Sequence, residues 1–148
     1  MSEIDKWDRF FLAIAEVSAG MSKDPSTKVG ATIANPDKRI CATGWNGFPG
    51  PISDLPSRLA HRETKLAYTI HAEMNAILNA TQSLKGCTLY SWPFPPCSEC
   101  MKHIIQTGIV RIVAPDDFPI RWLDSFNLAM YLAHEANIET HLVDKDFL

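Results

Sequence analysis

Residues 88–113 read TLYSWPFPPCSECMKHIIQTGIVRIV, and this stretch decides the fold. Thr88–Ser91 is a short β-rich run. Cys97–Thr107 has helical spacing and stops at Gly108, and Ile109–Val113 is β-rich again. A strand, a helix and a second strand in close succession argue for parallel strands joined by a helical crossover. The alternation continues downstream. Trp122–Ala136 is an amphipathic helix on Leu123, Phe126, Met130 and Ala133, and Glu139–Val143 is a last strand. Upstream, Asp5–Ser18 reads as a helix that Gly20 ends, with Trp7, Phe10, Phe11, Ile14 and Val17 recurring at three- and four-residue steps as its apolar stripe. Val29–Ala34 and Ile40–Trp45 are short strands around the turn residues Asn35-Pro36-Asp37-Lys38, and so an antiparallel hairpin. Gly44–Pro56 is a long Gly- and Pro-rich loop of the kind that carries function, and Arg58–Ala80 is mainly helical, in two pieces. The expected fold is a three-layer α/β/α arrangement with a mixed five-stranded sheet.

A chain of 148 residues is expected to form a single domain with its own core, without disulfide staples. Hydrophobic residues make up 46% and charged residues 21%, the composition of an ordinary globular domain rather than a disordered or fibrous one. The net charge of −3 argues against a nucleic-acid partner, which calls for a basic face. Glu3, Asp5 and Asp8 stand where a signal peptide would be basic and then apolar. The apolar runs Phe10–Ala15 and Leu128–Ala133 fall well short of the roughly 20 residues of a membrane span. Cys41, Cys87, Cys97 and Cys100 are therefore expected to be thiols or metal ligands in a cytoplasmic protein.

Two short segments carry the chemistry: His71-Ala72-Glu73 and Pro96-Cys97-Ser98-Glu99-Cys100. Imidazole and thiolate are the donors zinc prefers, at about 2.0 and 2.3 Å. Cys97 and Cys100 are three positions apart at a helix start, where both sulfurs face one ion and the positive helix end favours thiolates. Three protein ligands mark a catalytic zinc, which keeps a place for water, whereas structural sites are closed by four. Glu73, two positions after His71, is placed to take the water's proton and return it to a leaving amine. Alone, each residue has a plainer reading: a core histidine, an acid at a helix N-terminus, a redox Cys-x-x-Cys pair. Their conjunction, in this order and ahead of helices, argues for a metal centre.

His71-x-Glu73 followed by Pro96-Cys97-x-x-Cys100 resembles the signature of zinc-dependent nucleobase deaminases. Ser22–Ala31 (SKDPSTKVGA), Gly44–Pro49 (GWNGFP), His71–Ile77 (HAEMNAI) and Ile104–Ile109 (IIQTGI) extend the likeness to the deoxycytidylate (dCMP) deaminases, from about Ser22 to Val113. The resemblance implies a cytidine-deaminase-like fold and one zinc-dependent domain over residues 1–148. It implies one zinc per chain on His71, Cys97 and Cys100, since 62–68 lacks the Cys or His that some relatives use for a second. The implied reaction is hydrolytic attack at C4 of dCMP, with Glu73 shuttling the proton, ammonia leaving, and dUMP supplied to thymidylate synthesis.

The same resemblance implies that Asn46 holds the deoxyribose and the Ala72 backbone the base edge. Phe118 would lie against the pyrimidine or simply cover the core. Lys28 and Lys23, with Arg121 behind them, are the candidates for the 5′-phosphate. It further implies a homo-oligomer, a hexamer in many relatives, with dCTP activating and dTTP inhibiting through the loop Trp45–Gly50.

The chain also departs from the pattern. Trp45 replaces the usual Tyr, and Trp92–Pro96 is bulkier than the usual approach to the Pro-Cys motif. These changes leave CMP or a 5-substituted dCMP open as substrates. A tRNA adenosine deaminase shares the zinc signature, but the net charge and the tail Glu139–Asp146 speak against it. A free-cytidine deaminase would need substrate-side motifs missing here. A structural zinc module would need a fourth ligand, such as His103, Cys87 or Cys41.

Overall fold

In the computed structural model, which describes residues 4–148, the first helix starts on a side-chain cap. The Asp5 carboxylate accepts the backbone N–H groups of Trp7 (2.7 Å) and Asp8 (3.1 Å). Helix α1 then runs Lys6–Ala19 and closes at Gly20. Glu3, part of the acidic N-terminal reading, lies outside the described residues.

Of the apolar stripe read for α1, Phe11 alone is fully buried, and the core face is turned to take in Leu12, Ala15 and Ala19. Trp7, Phe10 and Val17 are 39%, 49% and 73% exposed, while Phe11, Leu12, Ala15 and Ala19 are buried. Asp8 sets this rotation. It is 4% exposed, and its carboxylate accepts two hydrogen bonds from Arg111 (2.8 and 2.6 Å) and one from the Tyr90 hydroxyl (2.7 Å). A buried carboxylate must be paired, so the helix turns the face carrying Asp8 inward.

Strands β1 (Gly30–Ala34) and β2 (Ile40–Trp45) form the antiparallel hairpin, with an irregularity in register at Ile33/Ala34. β3 (Thr88–Trp92) runs antiparallel to β1 and parallel to β4 (Arg111–Pro115), which pairs in parallel with β5 (Glu139–Val143). The order β2-β1-β3-β4-β5 is the expected mixed five-stranded sheet. Successive residues point to opposite faces. Tyr90 and Val113 pack with Phe11, Leu12 and Ala15 of α1. Leu89 and Ile112 pack in a second cluster with side chains of the helices on the other face.

The region 56–79 forms three helices rather than two: α2 (Pro56–Ala60), α3 (Arg62–Tyr68) and α4 (Ala72–Asn79). The first break is His61, whose Nδ1 accepts the Thr64 N–H and caps α3. The second is Thr69–His71, drawn into an extended conformation by a bridge between Gly47 and Ile70. Helix α5 spans Ser98–Gln106 and is followed by Gly108 at φ +88°, a conformation glycine adopts without strain. Helix α6 spans Leu123–Glu135.

Helix α4 is fastened to the edge strand β2. Asn75 Nδ2 donates to the Trp45 carbonyl (2.8 Å) and Asn79 Nδ2 to the Thr43 carbonyl (2.9 Å), using acceptors an edge strand leaves free. Among the described residues, no helix is long and apolar enough to cross a membrane.

Candidate metal centre and its cavity

Two helix N-termini converge on one point. His71 is the N-cap of α4, and Cys97 is the N-cap of α5 with Cys100 in its first turn. The bridge just ahead of His71 fixes its backbone: Gly47 N–H donates to the Ile70 carbonyl (3.1 Å) and Ile70 N–H to the Gly47 carbonyl (2.8 Å). His71 Nδ1 stands 3.5 Å from Cys97 Sγ and 3.3 Å from Cys100 Sγ, and all three donor atoms lie within 4.8 Å of one another. Nitrogen and sulfur donors of a tetrahedral zinc centre are spaced about 3.5 Å apart, so this donor set fits zinc.

A fourth protein donor does not join them among the described residues. His103 Nδ1 lies 2.8 Å from the Glu99 carbonyl, in its own helix. Cys41 and Cys87 face each other elsewhere, 4.0 Å apart. The described residues thus offer three donors and no fourth, which argues against the alternative of a closed structural site.

The electrostatics suit a cation. The thiol of Cys100 and the His71 ring, both hydrogen-bonded to Cys97, pull its pKa down to about 4, a thiolate at neutral pH. The hydrogen bond with Cys97 and burial push the Cys100 thiol up. The hydrogen bond to Cys97 raises the pKa of His71 despite partial desolvation. Glu73, in the first turn of α4, is 3% exposed. Burial pushes its carboxyl above the ordinary range, against the opposing pull of its own backbone N–H and of His71. Ser91 Oγ lies 3.0 Å from Glu73 Oε1.

His71, Glu73 and Cys97 open into a cavity of about 360 Å³, within the range of a small-molecule site. One wall is aromatic. Phe94 meets Trp122 and Phe126 edge-on, each with ring centroids 5.8 Å apart. Ala72, Asn46 and Arg121, three of the expected substrate contacts, also line the cavity. Asn46 is more tightly held than expected: its Oδ1 accepts the Val29 N–H (2.9 Å) and its Nδ2 donates to the Thr27 carbonyl (2.9 Å).

Three expected residues stay outside. Lys28 is exposed and does not line the cavity. Lys23 pairs with Asp54 at 3.1 Å and is likewise outside it. Phe118 packs against Phe126, with ring centroids 4.8 Å apart and planes tilted by 35°, and does not line the cavity.

The sequence reading set apart Phe94, within Trp92–Pro96, but did not single out as functional positions Arg62, Lys65, Trp122 and Phe126, which line the cavity, or Ser91, which contacts Glu73. Lys65 is buried and pairs with Asp24 at 3.0 Å, while the Asp24 carboxylate also accepts the Ser26 and Thr27 N–H groups. Arg62 reaches the cavity with no ion-pair partner among the described residues. Arg121 stacks on Trp122, 4.5 Å from the ring centre. Trp122 directly follows Arg121, and that Arg-aromatic adjacency was the one available signal.

The family model of the cytidine and deoxycytidylate deaminase zinc-binding region matches residues 5–115. Over 148 residues the chain is 39% identical to a protein named "Uncharacterized deaminase in luxG 3'region" of Aliivibrio fischeri, covering 98% of this chain and 99% of that one. It is 44% identical over 118 residues to the deoxycytidylate deaminase of Mus musculus, covering 76% of this chain but 66% of the mouse protein. The backbone matches the crystal structure of the dCMP deaminase from the cyanophage S-TIM5 in complex with dCMP and dUMP. That match has a TM-score of 0.76 at 22% identity and covers 96% of this chain and all of that one, which establishes the fold.

Proposed function

The chain belongs to the cytidine and deoxycytidylate deaminase family, and from that premise we propose that it is a zinc-dependent hydrolase converting dCMP to dUMP and ammonia, as a single domain over residues 1–148. The observation that carries this reading is the set of three donors, His71, Cys97 and Cys100, beside the buried Glu73 at the floor of the cavity. When bound, zinc supplies the Lewis acidity that makes water a nucleophile at neutral pH.

The chain's own residues do the rest. Glu73 takes a proton from the attacking water and delivers it to the departing amine. Its burial keeps bulk water from competing for that proton. Phe94, Trp122 and Phe126 hold the pyrimidine ring, with the Ala72 backbone at its edge and Asn46 beside the sugar. Arg62 and Arg121 take the 5′-phosphate in place of Lys23 and Lys28, because they reach the cavity and Lys65 is already neutralised by Asp24.

The test measures ammonia release and loss of cytosine absorbance on dCMP, CMP, deoxycytidine, 5-methyl-dCMP and a tRNA anticodon stem-loop, with zinc content determined on the same sample. Turnover of dCMP with deoxycytidine inert is the expected result. Turnover of CMP or 5-methyl-dCMP alone would reassign the nucleotide, and a zinc-loaded protein inert on the whole panel would overturn the reading.

The same proposal includes a homo-oligomer, supported by the exposed Trp7, Phe10 and Val17 of α1 and checked by sedimentation. It includes dCTP and dTTP as effectors, checked by adding them to the assay. It also includes a cytoplasmic setting that feeds thymidylate synthesis, supported by four unpaired thiols.

A further inference from the structure

We propose that Ser91 is the positioning residue for Glu73, its buried hydroxyl tying the Glu73 carboxyl to the Phe94 carbonyl at the cavity wall. The inference rests on the deaminase reading for the role of Glu73, and on geometry for everything else.

Ser91 lies on β3, fully buried, one step beyond Tyr90 and so on the sheet face that Leu89 shares with α4. Its Oγ is 3.0 Å from Glu73 Oε1 and 2.8 Å from the Phe94 carbonyl oxygen. A hydroxyl has one proton to donate, and here two acceptors wait for it. With both acceptors on one buried hydroxyl, the Glu73 carboxyl oxygen is held at a fixed place relative to the Phe94 backbone. Phe94 is also a wall of the cavity, so the same hydroxyl fixes the acid and the surface against which the base rests.

The experiment compares Ser91→Ala, Ser91→Thr, Glu73→Ala and the double variant Ser91→Ala/Glu73→Ala on dCMP, with zinc content and Tm for each. Ser91→Ala is expected to lower kcat by about 10- to 100-fold, the loss of one hydrogen bond to a charged group, with KM little changed and zinc retained. Ser91→Thr, which keeps the hydroxyl, recovers most of that loss. In the Glu73→Ala background, Ser91→Ala costs nothing further. An equal loss in both backgrounds, or a rise in KM at constant kcat, overturns the proposal.

A second measurement does not need turnover. In protein labelled with ¹³C at glutamate carboxyls, the Glu73 resonance is assigned by its loss in Glu73→Gln. It should move in Ser91→Ala and return in Ser91→Thr; an unmoved resonance overturns the proposal. A moved resonance in a protein inert on dCMP would sink the substrate reading and leave the positioning role standing.

Discussion

A single methyl group at Gly44 tests whether the metal centre depends on the close seat of α4. A Cβ on Gly44 would sit 2.4 Å from the Ala76 nitrogen, 2.5 Å from the Ala72 carbonyl oxygen and 3.0 Å from the Ala76 Cα. All three are backbone atoms of α4, so no rotamer change relieves the clash. Real Cβ contacts essentially never fall under 3.0 Å and are ordinary beyond 3.4 Å, so α4 must retreat by about 0.6 to 1 Å. The Asn75 and Asn79 clamps to β2 oppose that retreat. The helix carries Glu73 and is capped by His71, whose Nδ1 is held 3.3 and 3.5 Å from the two sulfurs. A shift of that size takes the imidazole out of ligand spacing.

The expected cost of overpacking is about 1–3 kcal/mol, which lowers Tm by roughly 2–4 °C per kcal/mol for a chain of this size. Turnover should fall by about 10²-fold, the usual consequence of misplacing reacting groups by about 1 Å. Differential scanning calorimetry, zinc stoichiometry and ammonia release measure the three effects. Gly47→Ala is the control, because nothing lies within 4 Å of a Cβ there. Were Gly44→Ala to keep its zinc, its turnover and the Tm of the Gly47→Ala control, the dependence of the site on this contact would be refuted.

Three further outcomes are expected. Glu73→Gln should keep one zinc per chain and lose turnover by about 10²- to 10⁴-fold, since the amide cannot carry the proton; metal analysis beside the ammonia assay checks both. Arg62→Ala and Arg121→Ala should each raise KM for dCMP by roughly tenfold or more, the loss of a charge-assisted contact, while any residual turnover of deoxycytidine stays unchanged. Asp8→Asn should destabilise the fold at pH 7 by about 2–3 kcal/mol, below the usual figure for a broken buried pair because Arg111 keeps Glu139 and some solvent. Burial alone would raise the Asp8 carboxyl, but Arg111 and Tyr90 outweigh it and hold its pKa below the ordinary 3.8. The stabilisation is therefore present above about pH 4 and fades as pH falls through the folded-state value. Urea midpoints measured from pH 7 to pH 3 should converge for the two proteins; a constant gap would rule out the charge as the cause.

What the sequence disclosed depended on how local the deciding contact is. Helix α5, its stop at Gly108 and the strand Glu139–Val143 were legible because turn chemistry and apolar periodicity act over a few residues. The His71, Cys97 and Cys100 cluster was legible for the same reason, since His71 and Cys97 are helix caps and Cys100 is one turn away. The core face of α1 was legible only at Phe11, because counting apolar residues ignores a buried carboxylate whose partner, Arg111, is 103 positions downstream. The cations followed the same rule. Lys23 and Lys28 share a segment with Asp24 and looked like phosphate ligands, yet the segment's acid is the residue that matters. Asp24 ties its own turn through Ser26 and Thr27 and grips Lys65, 41 positions away, which seats α3 at the cavity and brings Arg62 to it. The charge that reaches the cavity is thus chosen by the packing of α3, and Asp24→Asn should weaken dCMP binding without touching zinc. Retention of wild-type KM in that variant would mean that α3 keeps its place without the ion pair.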